Sequence, residues 1–214
     1  EFLPDFSTYK DVKQKKRAFF GYLKPLVEQL NKEMLARREF VKSLNAVPTD
    51  AEELKHYNYL LKRYDVKKGS SFKQAKKVLL KRIDKIPVEL VLMQAANESG
   101  WGTSRFALEA NNLFGQWCFK KGCGVVPRGR PKGESYEVRK FDHPIESIRS
   151  YINNLNTSHA YADLREIRAE LRRNREQLDA QELAEGLIKY STRREEYVKE
   201  IQTMIRVNQK YIDK

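Results

Sequence analysis

Glu98 is the residue whose setting in this chain most favours chemistry. It stands at the close of an apolar run, Pro87-Val88-Glu89-Leu90-Val91-Leu92-Met93-Gln94-Ala95-Ala96, and is followed by Ser99-Gly100-Trp101-Gly102. Proline suits a first helical position and paired glycines suit a helix stop. The run between them is apolar almost all round, the pattern of a buried central helix. A lone carboxylate in the last turn of such a helix meets two influences, the negative end of the helix dipole and partial burial. Both disfavour the ionised form and raise the pKa. A carboxylic acid that keeps its proton near neutral pH is what a general acid must be. The plain alternative is a solvated glutamate at a helix end.

Two cysteines, Cys118 and Cys123, lie close together in a glycine-containing loop. With His56, His143 and His159 they complete no metal-ligand spacing, so no metal and no cofactor is expected. A short-range disulfide would place the chain in an oxidising compartment; two reduced loop thiols are the plain alternative. Hydrophobic residues make up 40% of the chain and charged residues 33%, a globular composition rather than a disordered or membrane one. No apolar run approaches the roughly 20 residues of a membrane span. The chain opens Glu-Phe-Leu-Pro, with neither an initiator methionine nor a signal sequence, and reads as a trimmed or mature form. The formal charge of +13 asks for an anionic partner, for which nucleic acid, anionic lipid and acidic cell-wall polymer all qualify. Lysine and arginine are interleaved with glutamate, so no recognition-helix cluster stands out.

The elements that must position these residues follow from periodicity and caps. Residues 1–12 read as irregular. From Val12 to about Leu44, the spacing of Phe19, Tyr22, Leu23, Leu26, Val27, Leu30, Met34 and Leu35 predicts an amphipathic helix. Thr49 or Asp50 caps a second helix to about Tyr64, and Gly69-Ser70-Ser71 precedes a third from Phe72 to Ile83. Beyond Gly102, Thr103 or Ser104 caps a short helix through Ala110. A loop rich in amide and aromatic side chains follows from Asn111, and glycines and prolines between Gly122 and Gly133 lead into an alternating stretch, Ser135 to Phe141, read as a β-hairpin. Helices are expected from Pro144 to Asn156, at about Ala160–Asn174, at Ala180–Tyr190 and at Arg194–Ile212.

The stretch Ala95 to Gly115 resembles the glucosaminidase family of cell-wall hydrolases. An acid followed by Ser-Gly-Trp-Gly matches Glu98-Ser99-Gly100-Trp101-Gly102, and Asn-Leu-Phe-Gly matches Asn112-Leu113-Phe114-Gly115. Phe141-Asp142-His143-Pro144-Ile145-Glu146-Ser147-Ile148 looks like the family's lead-in to the helix after the hairpin. Tyr190-Ser191-Thr192 with Tyr197 resembles its paired-tyrosine segment. The Trp-Cys-Phe insertion and the long N-terminal helical stretch look most like the bacterial Bax-type subgroup. The resemblance implies a mainly α (α+β), lysozyme-like domain over 71–214 with a small β-hairpin lobe, preceded by a helical extension over 1–70. It implies an endo-β-N-acetylglucosaminidase, periplasmic or secreted in the bacterial cell envelope. The substrate would be peptidoglycan or a related glycan, cut at β-1,4 bonds after N-acetylglucosamine, by a monomer with neither nucleic acid nor a membrane span as partner.

By the same resemblance Glu98 matches the family's general acid and Tyr190 a tyrosine facing the cleft. Asn111, Asn112, Phe114, Gln116 and Tyr197 would contribute to substrate binding, with Trp101 a wedge behind the acid. The family places a second carboxylate in the hairpin. Here Gly124 to Lys132 holds no acid, which leaves Glu134 and Glu137; strand alternation sets Glu137 with Arg139 and Phe141 on one face and favours Glu137. Three rivals stay open: a lytic transglycosylase-like enzyme, which also uses one acid; a peptidoglycan-binding scaffold without turnover; and a basic nucleic-acid-binding protein, which explains the charge but not the Glu98 stretch.

Overall fold

A computed structural model describes residues 2–212. It is mainly α, with a small antiparallel sheet, as the periodicity requires. The described helices are α1 (Val12–Ser43), α2 (Ala51–Arg63), α3 (Phe72–Arg82), α4 (Val88–Ser99), α5 (Arg105–Ala110), α6 (Pro144–Thr157), α7 (Ala162–Arg173), α8 (Ala180–Ala184) and α9 (Glu195–Ile212). Side-chain caps set several of the starts. Asp50 accepts from the Glu52 and Glu53 amides, Ser71 and Gln74 form a reciprocal capping box, and Ser104 accepts from the Ala107 amide.

The described chain gathers into two compact units, 2–27 with 88–151 and 199–212, and 28–87 with 152–198. In the first unit, α4 buries every side chain from Leu90 to Ala96. Phe6 and Phe19 meet edge-on at 5.4 Å between ring centroids, and Phe19 and Phe20 both meet Trp101 edge-on, at 5.6 and 5.3 Å. In the second unit, Val41, Leu44, Tyr57, Leu60, Tyr64, Leu79 and Ile83 form one apolar core. Asp84, buried at the end of α3, is gripped by the Arg172 guanidinium, whose Nε lies 2.9 Å and Nη2 2.6 Å from its oxygens, with Arg38 at 3.6 Å. Buried Arg168 donates to the Lys81 and Arg82 carbonyls at the end of α3 and to Asn156 Oδ1. Burial and the neighbouring guanidiniums pull Arg168 down to about 10, with Asp84 opposing them.

Three expectations change. Phe6–Thr8 is a 3₁₀ turn capped by Asp5, within a segment read as irregular. The helix expected over 180–190 stops at Ala184 and tightens into a 3₁₀ turn, Glu185–Leu187. Gly186 there runs so close to α7 that an added Cβ would fall 2.3 Å from Leu164 Cα. The hairpin is instead a three-stranded sheet of order β1–β3–β2, with β1 at Trp117–Cys118, β2 at Gly124–Val125 and β3 at Glu137–Arg139. The central β3 pairs antiparallel with both neighbours, Val138 opposite Trp117 on one side and opposite Val125 on the other.

Candidate active site

Glu98 lies in the last turn of α4, half-buried, one residue before the helix ends. The end is built by a specific turn. The Trp101 amide donates back to the Ala96 carbonyl at 2.9 Å while Gly100 takes a left-handed φ of 56°, the six-to-one closure that glycine makes easy. Left-handed geometry then continues through two more residues, Trp101 at 58° and Gly102 at 76°. A bulky side chain at positive φ is a costly arrangement that surrounding structure must hold. Here the Trp101 ring is held against Phe19 and Phe20, with the Lys16 ammonium 4.9 Å from its centroid. Buried Ser99 locks the turn to the helix: its hydroxyl donates to the Ala95 carbonyl at 2.6 Å and accepts from the Gly102 amide at 2.8 Å. Trp101, half-buried, thus packs against the aromatic side chains of α1.

The polar groups of the residues expected to bind substrate are committed to the fold. Asn111, left-handed at φ 50° as the cap of α5, donates to the Phe141 and Asp142 carbonyls and accepts from the Leu3 amide. Asn112 donates to the Gln116 and Arg139 carbonyls, each at 2.9 Å, and its Oδ1 accepts from the Phe114 and Gln116 amides. Gln116 is clasped by Ser147, whose hydroxyl donates to Oε1 and whose carbonyl accepts from Nε2. Phe114 is buried and stacked flat on Tyr151 at 4.1 Å. Tyr151 in turn donates a short hydrogen bond to Gln94, a fully buried amide on α4. Sequence reasoning quoted Ser99 and Ser147 only as members of motifs and gave Tyr151 and Gln94 no part in the site; Gln94, polar inside an apolar run, carried a signal that could have marked it.

Glu137 is buried on β3, opposite Cys118 in register. One carboxylate oxygen accepts from the Gly122 amide at 3.0 Å and the other from the Gly124 amide at 2.8 Å. These amides, aided by the Arg130 charge and the Cys123 amide and opposed by desolvation, hold its pKa below the ordinary glutamate value. The loop supplying them is closed by the Cys118–Cys123 disulfide. The two sulfurs and a Glu137 oxygen lie within 4.8 Å of one another, but the sulfurs are bonded to each other and offer no thiolate to a metal. Glu134, the other candidate, is exposed.

Tyr190 and Tyr197 lie in the second unit. Their rings stack at 5.3 Å, Tyr161 tilts against Tyr190 at 5.9 Å, and Tyr197 is buried while Tyr190 is half-buried.

Comparison with known proteins gives two matches. The glucosaminidase family model, described as mannosyl-glycoprotein endo-beta-N-acetylglucosaminidase, matches residues 73–210. Protein bax of Escherichia coli (strain K12) is 36% identical over 215 residues, covering 98% of this chain and 76% of that protein. No solved structure matches.

Proposed function

Because this chain belongs to the glucosaminidase family, in its Bax-type subgroup, we propose that it hydrolyses β-1,4 bonds after N-acetylglucosamine in peptidoglycan or a related glycan, with Glu98 as proton donor. The observation that carries the reading is the setting of Glu98. It is a half-buried carboxyl at the end of a helix packed on its other faces, followed at once by the three-residue left-handed turn that Ser99, Phe19 and Phe20 hold in place. A general acid needs this fixity, because proton transfer is efficient only when the donor is held within hydrogen-bond reach of the leaving oxygen. Glu98 would protonate the glycosidic oxygen as the C1–O bond breaks toward an oxocarbenium ion.

Asn111, Asn112 and Gln116 act in this reading as the framework under the sugar site, since their amides are taken up by backbone and by Ser147. Glu137 anchors the disulfide loop through both oxygens, which leaves the second half of the reaction to water or to the substrate's own acetamido group. Tyr190 keeps its expected part on the family match of its segment. The disulfide fits an oxidising compartment, the periplasm or the cell exterior.

The test is mass spectrometry of products released from purified peptidoglycan by wild type and by Glu98→Gln. The expected outcome is reducing-end N-acetylglucosamine from wild type and a loss of about 10²–10⁴-fold in the variant, the usual weight of general acid catalysis. Undiminished release by Glu98→Gln would overturn the assignment of Glu98. A 1,6-anhydro product would replace hydrolysis with transglycosylation, and binding to the insoluble wall with no released sugar would reduce the chain to a scaffold.

A further inference from the structure

The sheet lobe carries an exposed surface to which the reading above gives no role. From Trp117 to Gly133 the chain is Trp-Cys-Phe-Lys-Lys-Gly-Cys-Gly-Val-Val-Pro-Arg-Gly-Arg-Pro-Lys-Gly. Five of these residues are cations and none is an acid. Three large apolar side chains stand in solvent there: Trp117 is 56% exposed, Phe119 71% and Val126 46%. Lys120, Lys121, Arg128 and Lys132 are exposed as well, while Arg130 turns back to the Tyr136 carbonyl. The exposure is built in. Phe119, Lys120 and Lys121 sit inside the ring closed by Cys118–Cys123, and the ring is pinned to β3 by the Gly122 and Gly124 amides on Glu137. Trp117 is propped by Tyr136, stacked nearly parallel at 4.4 Å. A loop so held does not fold its aromatic side chains under.

We infer that this lobe docks on an anionic phospholipid surface, with Phe119 and Trp117 entering the headgroup layer and the flanking lysines and arginines meeting lipid phosphate. Apolar side chains interleaved with cations are the composition of interfacial anchors, and an exposed aromatic patch rimmed by charge marks an interaction site. A glycan strand is the rival occupant. Rings and cations can also meet a sugar, but the amides, hydroxyls and carboxylates that usually fix its hydroxyls are missing: residues 117–133 contain no Asn, Gln, Ser, Thr, Asp or Glu side chain. A bilayer asks for none of these. No described helix is long and apolar enough to cross a membrane.

The test is co-sedimentation of the full chain with vesicles of equimolar phosphatidylglycerol and phosphatidylcholine, against vesicles of phosphatidylcholine alone. Binding is expected to the anionic vesicles only, and to weaken as salt is raised. Each cation near such a surface is worth roughly fivefold, so the double variant Lys120→Ala/Lys121→Ala should bind on the order of 25-fold more weakly. Phe119→Ser removes one inserted aromatic side chain and should cost about 10-fold. Both variants should keep the wild-type urea midpoint and the wild-type rate on a soluble glycan fragment, so failure here leaves the assignment of Glu98 untouched. Equal binding to neutral and anionic vesicles would overturn the inference. So would the absence of vesicle binding, or a loss of insoluble-peptidoglycan binding in the same variants, which would give the lobe to the glycan.

Discussion

Two glycine-to-alanine substitutions should move stability in opposite directions, and the contrast tests how the acid-bearing turn is built. Gly102 has φ 76°, and a Cβ placed on it would lie 2.7 Å from Phe6 Cδ2, 3.1 Å from Phe6 Cε2 and 3.3 Å from Phe19 Cδ2. Phe6 has no room to retreat, since it is buried with Phe19 on one side and Tyr22 at 6.2 Å on another. An L-residue held at left-handed φ costs roughly 1–2 kcal/mol, and forcing an extra carbon into a packed site costs about 1–3 kcal/mol more. Gly102→Ala should therefore destabilise by about 2–5 kcal/mol, a fall in Tm of roughly 5–15 °C for a chain of this size. Gly21 lies exposed inside α1 with nothing within 4 Å of a built Cβ, although Pro25 follows one turn later. There alanine removes only the unfolded chain's extra freedom and should add about 0.5–1 kcal/mol. Urea unfolding of the three proteins reads both numbers. Product release measured well below the Gly102→Ala midpoint should still be reduced, because the displaced turn carries the end of the helix that holds Glu98. The reasoning is refuted if Gly102→Ala stays within about 0.5 kcal/mol of wild type, a difference too small for either penalty.

Asp84→Asn should destabilise by about 3–5 kcal/mol, the cost of leaving buried Arg168 and the part-buried Arg38 and Arg172 without their carboxylate. Desolvation alone would raise the Asp84 pKa, but the Arg172 hydrogen bonds and the Arg168, Arg38 and Arg172 charges prevail and hold it below the usual aspartate value. Its stabilisation is then present above about pH 4 and lost as pH falls through the lowered native value. Urea midpoints of wild type should show this acid decline and those of Asp84→Asn should lack it; parallel profiles would sink the idea. Paired Cys118→Ser and Cys123→Ser substitutions should cost about 2 kcal/mol by loop closure, confined to the lobe. Hydrogen exchange should then quicken at the Gly122 and Gly124 amides and stay unchanged across α4. Glu137→Gln should speed exchange at the same two amides and leave the protein able to release sugar; loss of activity equal to that of Glu98→Gln would restore Glu137 as a catalytic partner.

Helix positions were legible wherever a cap or breaker wrote them down: Asp50, Ser71 and Ser104 start α2, α3 and α5, and Gly100 ends α4. The sheet was only half legible. β1 and β2 have two residues each, too few for alternation to show, and they become strands because β3 lies between them. The end of α8 was hidden because a close approach between Gly186 and Leu164 joins residues far apart in the chain. Side-chain roles were hardest. An asparagine aimed at a sugar and one aimed at a carbonyl look alike in sequence; Asn112 differs only in having four backbone partners waiting for it. Glu137 likewise needed two loop amides, 13 and 15 residues away, before its part could be read.

The aromatic cover of the left-handed turn bears on how portable the motif is. The rings against Trp101 and Gly102 come from Phe6, Phe19 and Phe20, all outside the family-matched stretch of 73–210. A deletion that kept only that stretch would retain every motif residue from Glu98 to Gly115 and the Ser99 hydrogen bonds, yet strip the aromatic rings from the indole and from three consecutive left-handed residues. Transplanting the motif, or shuffling it between proteins, therefore has to carry along partners some 80–95 residues upstream, Phe6, Phe19 and Phe20 or their equivalents.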